Sequence, residues 1–176
     1  MKVTAPAHYA LFHCLAGACP DTCCVGWEVV VDEESARRYR GVDGALGDRL
    51  RGALETTDGE YNFHLSDGRC PFLNGENLCD IQSALGEGAL CRTCRRFPRF
   101  EHDYGAVREV GLSLSCPEAA RLIVGAECIE FVTHEDASLE VAPNDIDAAL
   151  YLALRALRHE LIALAQNRDY SIGERM

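Results

Sequence analysis

Ten cysteines in a chain of 176 residues constrain the fold of this sequence more than any other feature. This content lies below the roughly 8–10% of small disulfide scaffolds and far above that of ordinary intracellular proteins. Disulfides, metal ligation and burial as apolar thiols are the three uses open to such cysteines. The cellular compartment of the protein and the spacing of its cysteines decide among these three uses. The cysteines are Cys14, Cys19, Cys23, Cys24, Cys70, Cys79, Cys91, Cys94, Cys116 and Cys128.

The first residues of the chain do not have the form of a cleaved secretory signal. Their apolar stretch contains Pro6, His8 and His13, whereas a signal needs a basic head and an uninterrupted apolar run. No stretch of the sequence reaches the ~18 apolar residues of a membrane span. We therefore expect a cytoplasmic protein, in which thiols stay reduced and clustered cysteines are metal ligands rather than disulfides.

The charge balance is strongly acidic, with 17 Lys and Arg against 28 Asp and Glu and a net charge of −11. Such a field repels nucleic acids and anionic membranes, which excludes both as expected partners. One basic cluster stands against this background, because Arg92, Arg95, Arg96 and Arg99 closely follow Cys91. These arginines can neutralise an anionic thiolate site or bind an anionic group such as a carboxylate or phosphate.

The spacing of the cysteines favours metal ligation. Cys91 and Cys94 are separated by two residues, which lets two thiolates face one metal. Cys116 precedes a predicted helix, whose dipole favours the thiolate form that a metal needs. Zinc and iron–sulfur clusters both accept four thiolates, so the ligand type does not decide between them. The predicted ligands are Cys14, Cys19, Cys23, Cys24, Cys70, Cys79, Cys91, Cys94 and Cys116.

Periodicity in the rest of the chain predicts short helices and strands. Apolar residues at helical spacing predict a long helix from Asn144 to about Asn167. Asp32 is predicted to cap a shorter helix that runs to Tyr39. Cys128 lies in an apolar strand pattern and is predicted to be a core residue. Further predicted helices lie at 46–55 and 118–124, and predicted strands lie at 26–32, 60–65 and 128–132.

The segment 69–99 lacks periodicity and is rich in Cys, Pro, Gly and Arg, so we expect it to fold around something other than an apolar core. The sequence therefore predicts a mainly α fold with a few short strands, an irregular α+β domain organised around a metal or iron–sulfur site. This cysteine-cluster domain is expected to cover 1–135, and a helical segment is expected at 136–176. A helix-start pattern at 171–174 suggests that a C-terminal region is truncated.

The order and the flanking residues of the cysteines match a known family. The matching segments read CPDTCCVGWEV at 19–29, GRCPFLN at 68–74, LCDI at 78–81, LCRTCRRFPR at 90–99 and LSLSCPEAAR at 112–121. In these segments the chain resembles the flagellin lysine-N-methylase family of bacteria. More distantly, it resembles small cysteine-cluster proteins with zinc- or iron-chelating domains. The likeness runs from residue 3 to the C-terminal residues.

The resemblance implies an activity and two cofactors. Family members methylate the ε-amine of surface lysines on flagellin with S-adenosylmethionine and carry an iron–sulfur cluster, which we expect to be of the 4Fe–4S type, with zinc as the alternative. All nine predicted ligands fall on cysteine positions of the family. Family chains are considerably longer, so this chain corresponds to their N-terminal, cysteine-rich part.

Two functions remain open from the sequence. The first is a lysine N-methyltransferase acting on flagellin, in which Arg95, Arg96 and Arg99 are predicted to hold the carboxylate of S-adenosylmethionine. The second is a zinc- or iron–sulfur-binding module without turnover. We find no glycine-rich cofactor loop, and no catalytic base can be assigned. Four residues are candidates for the base only because they flank the motifs: Glu28, Asp80, Tyr104 and Glu109.

Overall fold

A computed structural model describes residues 1–141 and 145–175 of the chain. The strands are β1 Lys2–Pro6, β2 Val30–Val31, β3 Leu54–Thr57, β4 Glu60–Phe63, β5 Arg99–Tyr104, β6 Val107–Leu112 and β7 Phe131–Glu135. The α-helices are α1 Glu33–Arg40, α2 Gly44–Ala53, α3 Asp80–Leu85, α4 Arg92–Arg96, α5 Pro117–Val124, α6 Ala148–Gln166 and α7 Ile172–Arg175. Short 3-10 helices lie at Ala7–Leu11, Ala16–Ala18 and Glu87–Ala89.

Backbone contacts divide the chain into two compact units. The first, the sheet unit, consists of Met1–Phe12, Arg99–Leu114 and Ala119–Met176. The second, the cysteine unit, consists of His13–Pro98 and Ser115–Glu118. None of the helices in the described part of the chain has both the length and the apolar character that a membrane crossing requires.

The sheet unit contains a four-stranded sheet in the order β5-β6-β1-β7. Strand β1 runs parallel to β6, whereas the β5–β6 and β1–β7 pairs are antiparallel. A tight turn joins β5 to β6, and Gly105 in this turn has φ +65°, a conformation that glycine adopts without strain. In this strand order the N-terminal strand β1 is an inner strand of the sheet, between β6 and β7.

Helix α6 is fastened to this sheet by polar and aromatic contacts. Asp147 caps the helix by accepting hydrogen bonds from the amides of Ala149 and Leu150. The Tyr151 ring stacks on Tyr104 of β5 with 4.6 Å between centroids. The long helix predicted from the sequence is confirmed, although its predicted start at Asn144 lies outside the described residues. Its predicted apolar stripe stays largely exposed: the exposed leucines are Leu150, Leu154, Leu157, Leu161 and Leu164.

The cysteine unit contains a three-stranded antiparallel sheet in the order β2-β4-β3. The sheet packs with α1 and α2 around an aromatic centre, in which the Phe63 ring lies 5.8 Å from Tyr39 and 4.9 Å from Phe72. Asp32 caps α1 by accepting a hydrogen bond from the Ser35 amide, which confirms the predicted cap. The buried cluster is Val29, Val31, Ala36, Tyr39, Leu50, Phe63, Cys70, Phe72, Ile81, Leu90 and Cys91.

The predicted fold class, mainly α with a few short strands, is wrong. The described residues form two sheets, and the fold is mixed α+β. The segment 69–99, which was expected to avoid an apolar core, contributes Phe72, Ile81 and Leu90 to it. These residues come from turns and from helices of one or two turns, so no regular period marks them in the sequence.

The prediction for Cys128 is also wrong. Its thiol is exposed, and the strand predicted at 128–132 begins only at Phe131, continues to Glu135 and is itself exposed at every position. The alternation of apolar residues before Phe131 belongs to a bend rather than to the strand. By contrast, the helix predicted to start at Pro117 is confirmed and ends at Val124.

Candidate functional site

The nine predicted ligand cysteines all lie in the cysteine unit. They are free thiols and differ in their burial. Cys70, Cys91 and Cys116 are buried, whereas Cys14 and Cys23 are exposed. The other four are half-buried: Cys19, Cys24, Cys79 and Cys94.

Five of them, named here the inner thiols, belong to or pack against one hydrophobic cluster: Cys24, Cys70, Cys79, Cys91 and Cys94. They are close enough for the charge on one to act on another. Burial, together with charge on the thiols of Cys24 and Cys79, raises the pKa of Cys70 to about 11. Several thiolates in one apolar environment repel each other and lack solvation. A cation bound among them would offset both costs.

The first turn of α4 brings Cys91 and Cys94 together. Cys91 is the residue that precedes the helix, and Cys94 lies one turn later. The Cys94 thiol donates a hydrogen bond to Cys91, which lowers the pKa of Cys91 and raises that of Cys94. The two-residue spacing thus produces the paired geometry that the sequence predicts.

A short antiparallel bridge brings the N-terminal cysteines to Cys70. Val25 pairs with Arg69, and the Cys70 amide donates to the Cys24 carbonyl at 2.8 Å. Cys23 donates a hydrogen bond to its neighbour Cys24 and thereby lowers the pKa of Cys24 to about 6, with a smaller contribution from the Arg69 charge. Charge on Cys14 is among the causes that raise the pKa of Cys23, so Cys14 lies near this second thiol pair.

A tight loop joins Cys70 to Cys79. The Asn74 side chain closes the loop, because its oxygen accepts hydrogen bonds from the amides of Glu76 and Leu78. Leu73 then pairs with Cys79 in a short bridge. The structure therefore links seven of the nine predicted ligands through contacts or charge: Cys14, Cys23, Cys24, Cys70, Cys79, Cys91 and Cys94.

The thiols are arranged as hydrogen-bonded pairs rather than as a finished ligand set. Across residues 1–141 and 145–175, no three His, Cys, Asp or Glu side chains form a group that could hold a metal ion. The Cys23–Cys24 and Cys91–Cys94 pairs each contain a thiol–thiol hydrogen bond. Metal binding would displace the thiol protons, because only thiolates ligate. The donor chemistry of these thiols fits a four-thiolate site.

The predicted cofactor-binding arginines are divided between the two units. Arg95 and Arg96 form the last turn of α4 in the cysteine unit. Arg99 begins β5 in the sheet unit, where its guanidinium lies 4.8 Å from the Phe12 ring centroid and donates to the Phe12 carbonyl. The charge of Arg69 reaches one of the inner thiols and lowers the pKa of Cys24.

Three of the residues that flank the motifs have structural partners. Asp80 forms an ion pair with Arg49 at 2.8 Å, and Glu109 forms one with Arg158 at 2.7 Å. Tyr104 stacks on Tyr151. These contacts explain the three side chains as parts of the fold, and the structure assigns no catalytic base.

Residues that the sequence did not single out for the site hold the segment before α4. The Tyr39 hydroxyl donates to the Ala89 carbonyl at 2.8 Å, and Arg38 donates to the same carbonyl at 3.1 Å. Burial raises the pKa of Tyr39, and charge on Cys91 and Cys94 adds to the rise. Arg38 and Tyr39 lie about two helical turns after the predicted cap of α1. A guanidinium and a phenol at such positions are common in helices, so no local signal in the sequence marks this role.

Comparison with known proteins found flagellar and methylase relatives. The chain is 34% identical over 131 residues to the flagellar biosynthetic protein FliU of Salmonella muenchen, covering 70% of this chain and 78% of FliU. It is 34% identical over 131 residues to the lysine-N-methylase of Salmonella choleraesuis strain SC-B67, and 33% identical to that of Salmonella typhimurium strain LT2.

The coverage of these relatives differs. The aligned part is 33% of each of the two lysine-N-methylases, so the chain spans about a third of their length. No protein-family model matches the chain. No solved structure matches it either.

Proposed function

This chain belongs to the flagellin lysine-N-methylase family, and from that membership we propose that it takes part in the N-methylation of lysine side chains on flagellin, with S-adenosylmethionine as the methyl donor. The observation that carries the proposal is the 34% identity over 131 residues to a protein named lysine-N-methylase. The flagellar name of the relative FliU supports flagellin as the substrate.

The chemistry of such a transfer is polar. The neutral lysine nitrogen forms a bond to the methyl carbon as the carbon–sulfur bond breaks, S-adenosylhomocysteine leaves and the ammonium proton passes to water or to a base. The group Cys19-x3-Cys23-Cys24 supports this route, since radical enzymes that use the same methyl donor have C-x3-C-x2-C. The protein's contribution is to position the two substrates and to accept the proton.

We propose that the paired thiols hold a metal group, an iron–sulfur cluster of the 4Fe–4S type or, as the alternative, zinc. Support comes from the five inner thiols, soft donors that share one apolar cluster. A bound metal group would crosslink the loops around residues 24, 70, 79 and 91 and add folding free energy to the cysteine unit. Cys14, Cys19, Cys23 and Cys116 supply further candidate ligands in the same unit.

Arg95 and Arg96 are the residues that we propose for the carboxylate of S-adenosylmethionine. They follow Cys94 directly and end α4. A guanidinium presents a fork of donors that matches a carboxylate. Arg99 belongs to the sheet unit, and its proposed part in cofactor binding stays a prediction from the sequence.

A second candidate function is a metal-holding module without turnover. It is favoured by coverage, because the chain matches only 33% of each lysine-N-methylase but 78% of FliU. In this function the cysteine unit would bind metal as proposed, and methyl transfer would belong to a longer protein.

The deciding experiment incubates the chain, purified without oxygen, with S-adenosylmethionine labelled in the methyl group and with flagellin. The proposed activity predicts label in flagellin lysines, and no label in flagellin whose surface lysines are replaced by arginine. Calorimetric titration of the same samples with S-adenosylmethionine reports binding. A chain that carries metal but neither binds the methyl donor nor transfers label is the module, and the methylase proposal for this chain is then wrong.

The arginine variants sharpen this experiment. Arg95→Gln and Arg96→Gln are each expected to weaken binding of S-adenosylmethionine by about 1.5–3 kcal/mol, the value of one charge-assisted hydrogen bond. Metal content measured on the same samples should stay unchanged. Loss of metal with unchanged binding of the methyl donor would instead assign these arginines to neutralisation of the thiolates.

A further inference from the structure

One carboxylate in the cysteine unit caps two helices at once. Asp32 follows β2, and its Oδ1 accepts a hydrogen bond from the Ser35 amide of α1 at 3.0 Å. Its Oδ2 accepts a second bond from the Arg92 amide at the start of α4, at 2.7 Å. The first amides of a helix have no partner within the helix, so each bond satisfies a donor that would otherwise be open.

The second bond replaces a cap that α4 cannot supply itself. Cys91 occupies the cap position of α4, and its side chain makes no capping hydrogen bond. A thiol is a poor acceptor compared with a carboxylate. The acceptor for this helix therefore comes from Asp32, a residue 60 positions earlier in the chain.

The neighbouring backbone holds the same turn from the same side. The Val30 carbonyl accepts hydrogen bonds from the Thr93 hydroxyl at 2.6 Å and from the Cys91 thiol at 3.8 Å. Arg38 also donates to the Leu90 carbonyl at 3.3 Å. Each residue from 89 to 93 therefore forms a hydrogen bond with β2, with α1 or with Asp32, which lies between these two elements.

We propose that Asp32 is a positioning residue for the Cys91–Cys94 thiol pair. By holding the Arg92 amide, its carboxylate fixes the first turn of α4, which determines where both thiols lie relative to each other. The consequence for metal binding rests on the proposed function, in which these two thiols are ligands. The positioning itself does not depend on that function.

The choice of variant separates the two caps. Serine at position 32 offers one hydroxyl and remains a good cap for α1, but it cannot serve both amides. Asp32→Ser therefore removes the contact to α4 and retains the cap of α1. Asp147→Ser is the matched control, because Asp147 caps only α6, in the sheet unit. Asp32→Asn, which has the shape of aspartate but a single oxygen acceptor, is the second variant.

The measurement is the rate at which iodoacetamide alkylates each cysteine of the chain as purified, read by mass spectrometry of its peptides. Asp32→Ser should speed alkylation of Cys91 and Cys94 by about fivefold, since a lost cap raises the local opening of α4 by that factor. Alkylation of Cys70, which is also buried in the same cluster, should keep its wild-type rate. Asp147→Ser should change none of these rates.

Two results would overturn the proposal. If Cys70, Cys91 and Cys94 all become faster together, Asp32 acts on the stability of the whole unit and not on the pair. If no rate changes in Asp32→Ser, the turn is held without it. Should Asp32→Ser fail to fold, Asp32→Asn must show the same selective change in smaller measure, or the proposal fails. A selective change in a chain that binds no metal and no methyl donor would retain the positioning role and reject the proposed function.

Discussion

Glu109 of β6 is the residue that fastens α6 to the sheet. Its carboxylate accepts one hydrogen bond from the Tyr151 hydroxyl at 3.0 Å and two from the Arg158 guanidinium at 2.7 and 2.8 Å. The leucines of the helix stay about half exposed, so these polar contacts supply the specific attachment. The hydrogen bonds from Arg158 are the largest cause that lowers the pKa of Glu109 below its ordinary value of 4.5.

The stability of the sheet unit should therefore fall in acid in a way that depends on Glu109. Because its pKa is lowered in the folded state, the ionised carboxylate stabilises the fold above its ordinary pKa of 4.5. That contribution is lost as the pH falls through the lowered pKa. Glu109→Gln should reduce the free energy of unfolding by about 1 kcal/mol at pH 7, a partly exposed pair being screened by solvent.

Urea unfolding of wild type and Glu109→Gln between pH 7 and pH 3 checks this expectation. The difference in free energy of unfolding between the two proteins should shrink toward zero as the pH approaches 3. The control is Glu160→Gln, which changes an exposed carboxylate of α6 and should leave the free energy of unfolding at its wild-type value at each pH. A difference that stays constant with pH would mean that the Glu109 charge does not contribute.

Sequence reasoning at this scale succeeded where the partners are close in the chain. Cys91 and Cys94 could be paired in advance because two residues separate them, and the cap of α1 by Asp32 is equally local. The bond from Asp32 to Arg92 joins positions 60 residues apart, and no local pattern indicates it. The spacing of the nine candidate ligands likewise does not indicate which of them share one apolar cluster.

At the scale of single elements, Gly47 decides how closely α2 approaches the chain before it. Gly47 is buried, and a side-chain carbon at this position would overlap the carbonyl of Val42. The same carbonyl accepts a hydrogen bond from Arg51 at 2.7 Å. The backbone is held in place there and cannot retreat easily, so the absence of a side chain at Gly47 is a packing requirement.

Gly47→Ala should accordingly destabilise the cysteine unit by about 3 kcal/mol, the upper range for overpacking. Gly52→Ala in the same helix is the control, because open space surrounds Gly52. Alanine there should raise stability by about 1 kcal/mol through its better helix propensity. The midpoints of urea unfolding compare the two variants, and equal midpoints would contradict the close approach at Gly47.

The elements that periodicity could reveal are those with one apolar face. Helices α2 and α6 were predicted for this reason, whereas α1 and α5 were predicted from residues at their ends, Asp32 and Pro117. No element was predicted for strand β5, although Phe100, His102 and Tyr104 alternate with charged residues in the period-two pattern of a strand. The rings of these three residues follow one another along the strand, at 5.6 and 6.4 Å between centroids.

At the scale of the whole molecule, the two units alternate along the chain. Two stretches of the sheet unit, Met1–Phe12 and Arg99–Leu114, lie on either side of the main stretch of the cysteine unit, His13–Pro98. The parallel pairing of β1 with β6 joins positions more than 100 residues apart. Such pairing leaves no trace in local periodicity, which is why the sheets were underestimated and the fold class was predicted as mainly α.

The family relation was predictable from the sequence because it depends on the order and flanks of the cysteines. Those flanks have structural reasons. Gly26 lies two residues after the adjacent cysteines Cys23 and Cys24 and has φ +87°. Its amide donates a hydrogen bond to the Gly68 carbonyl, which places Cys24 beside Cys70. The residues that flank the cysteines therefore reflect the backbone contacts that join the loops. The spacing of the cysteines does not specify which metal they bind, since zinc and iron–sulfur clusters both accept thiolates.

Metal analysis of the chain purified without oxygen tests the central claim most directly. Iron, acid-labile sulfide and zinc are measured per chain for wild type, Cys91→Ser and Cys128→Ser, because Cys91 belongs to the inner thiols and Cys128 is exposed in the sheet unit. The account predicts bound metal in wild type and Cys128→Ser and its loss in Cys91→Ser. A folded wild-type chain without metal, or metal lost in Cys128→Ser and kept in Cys91→Ser, would contradict it.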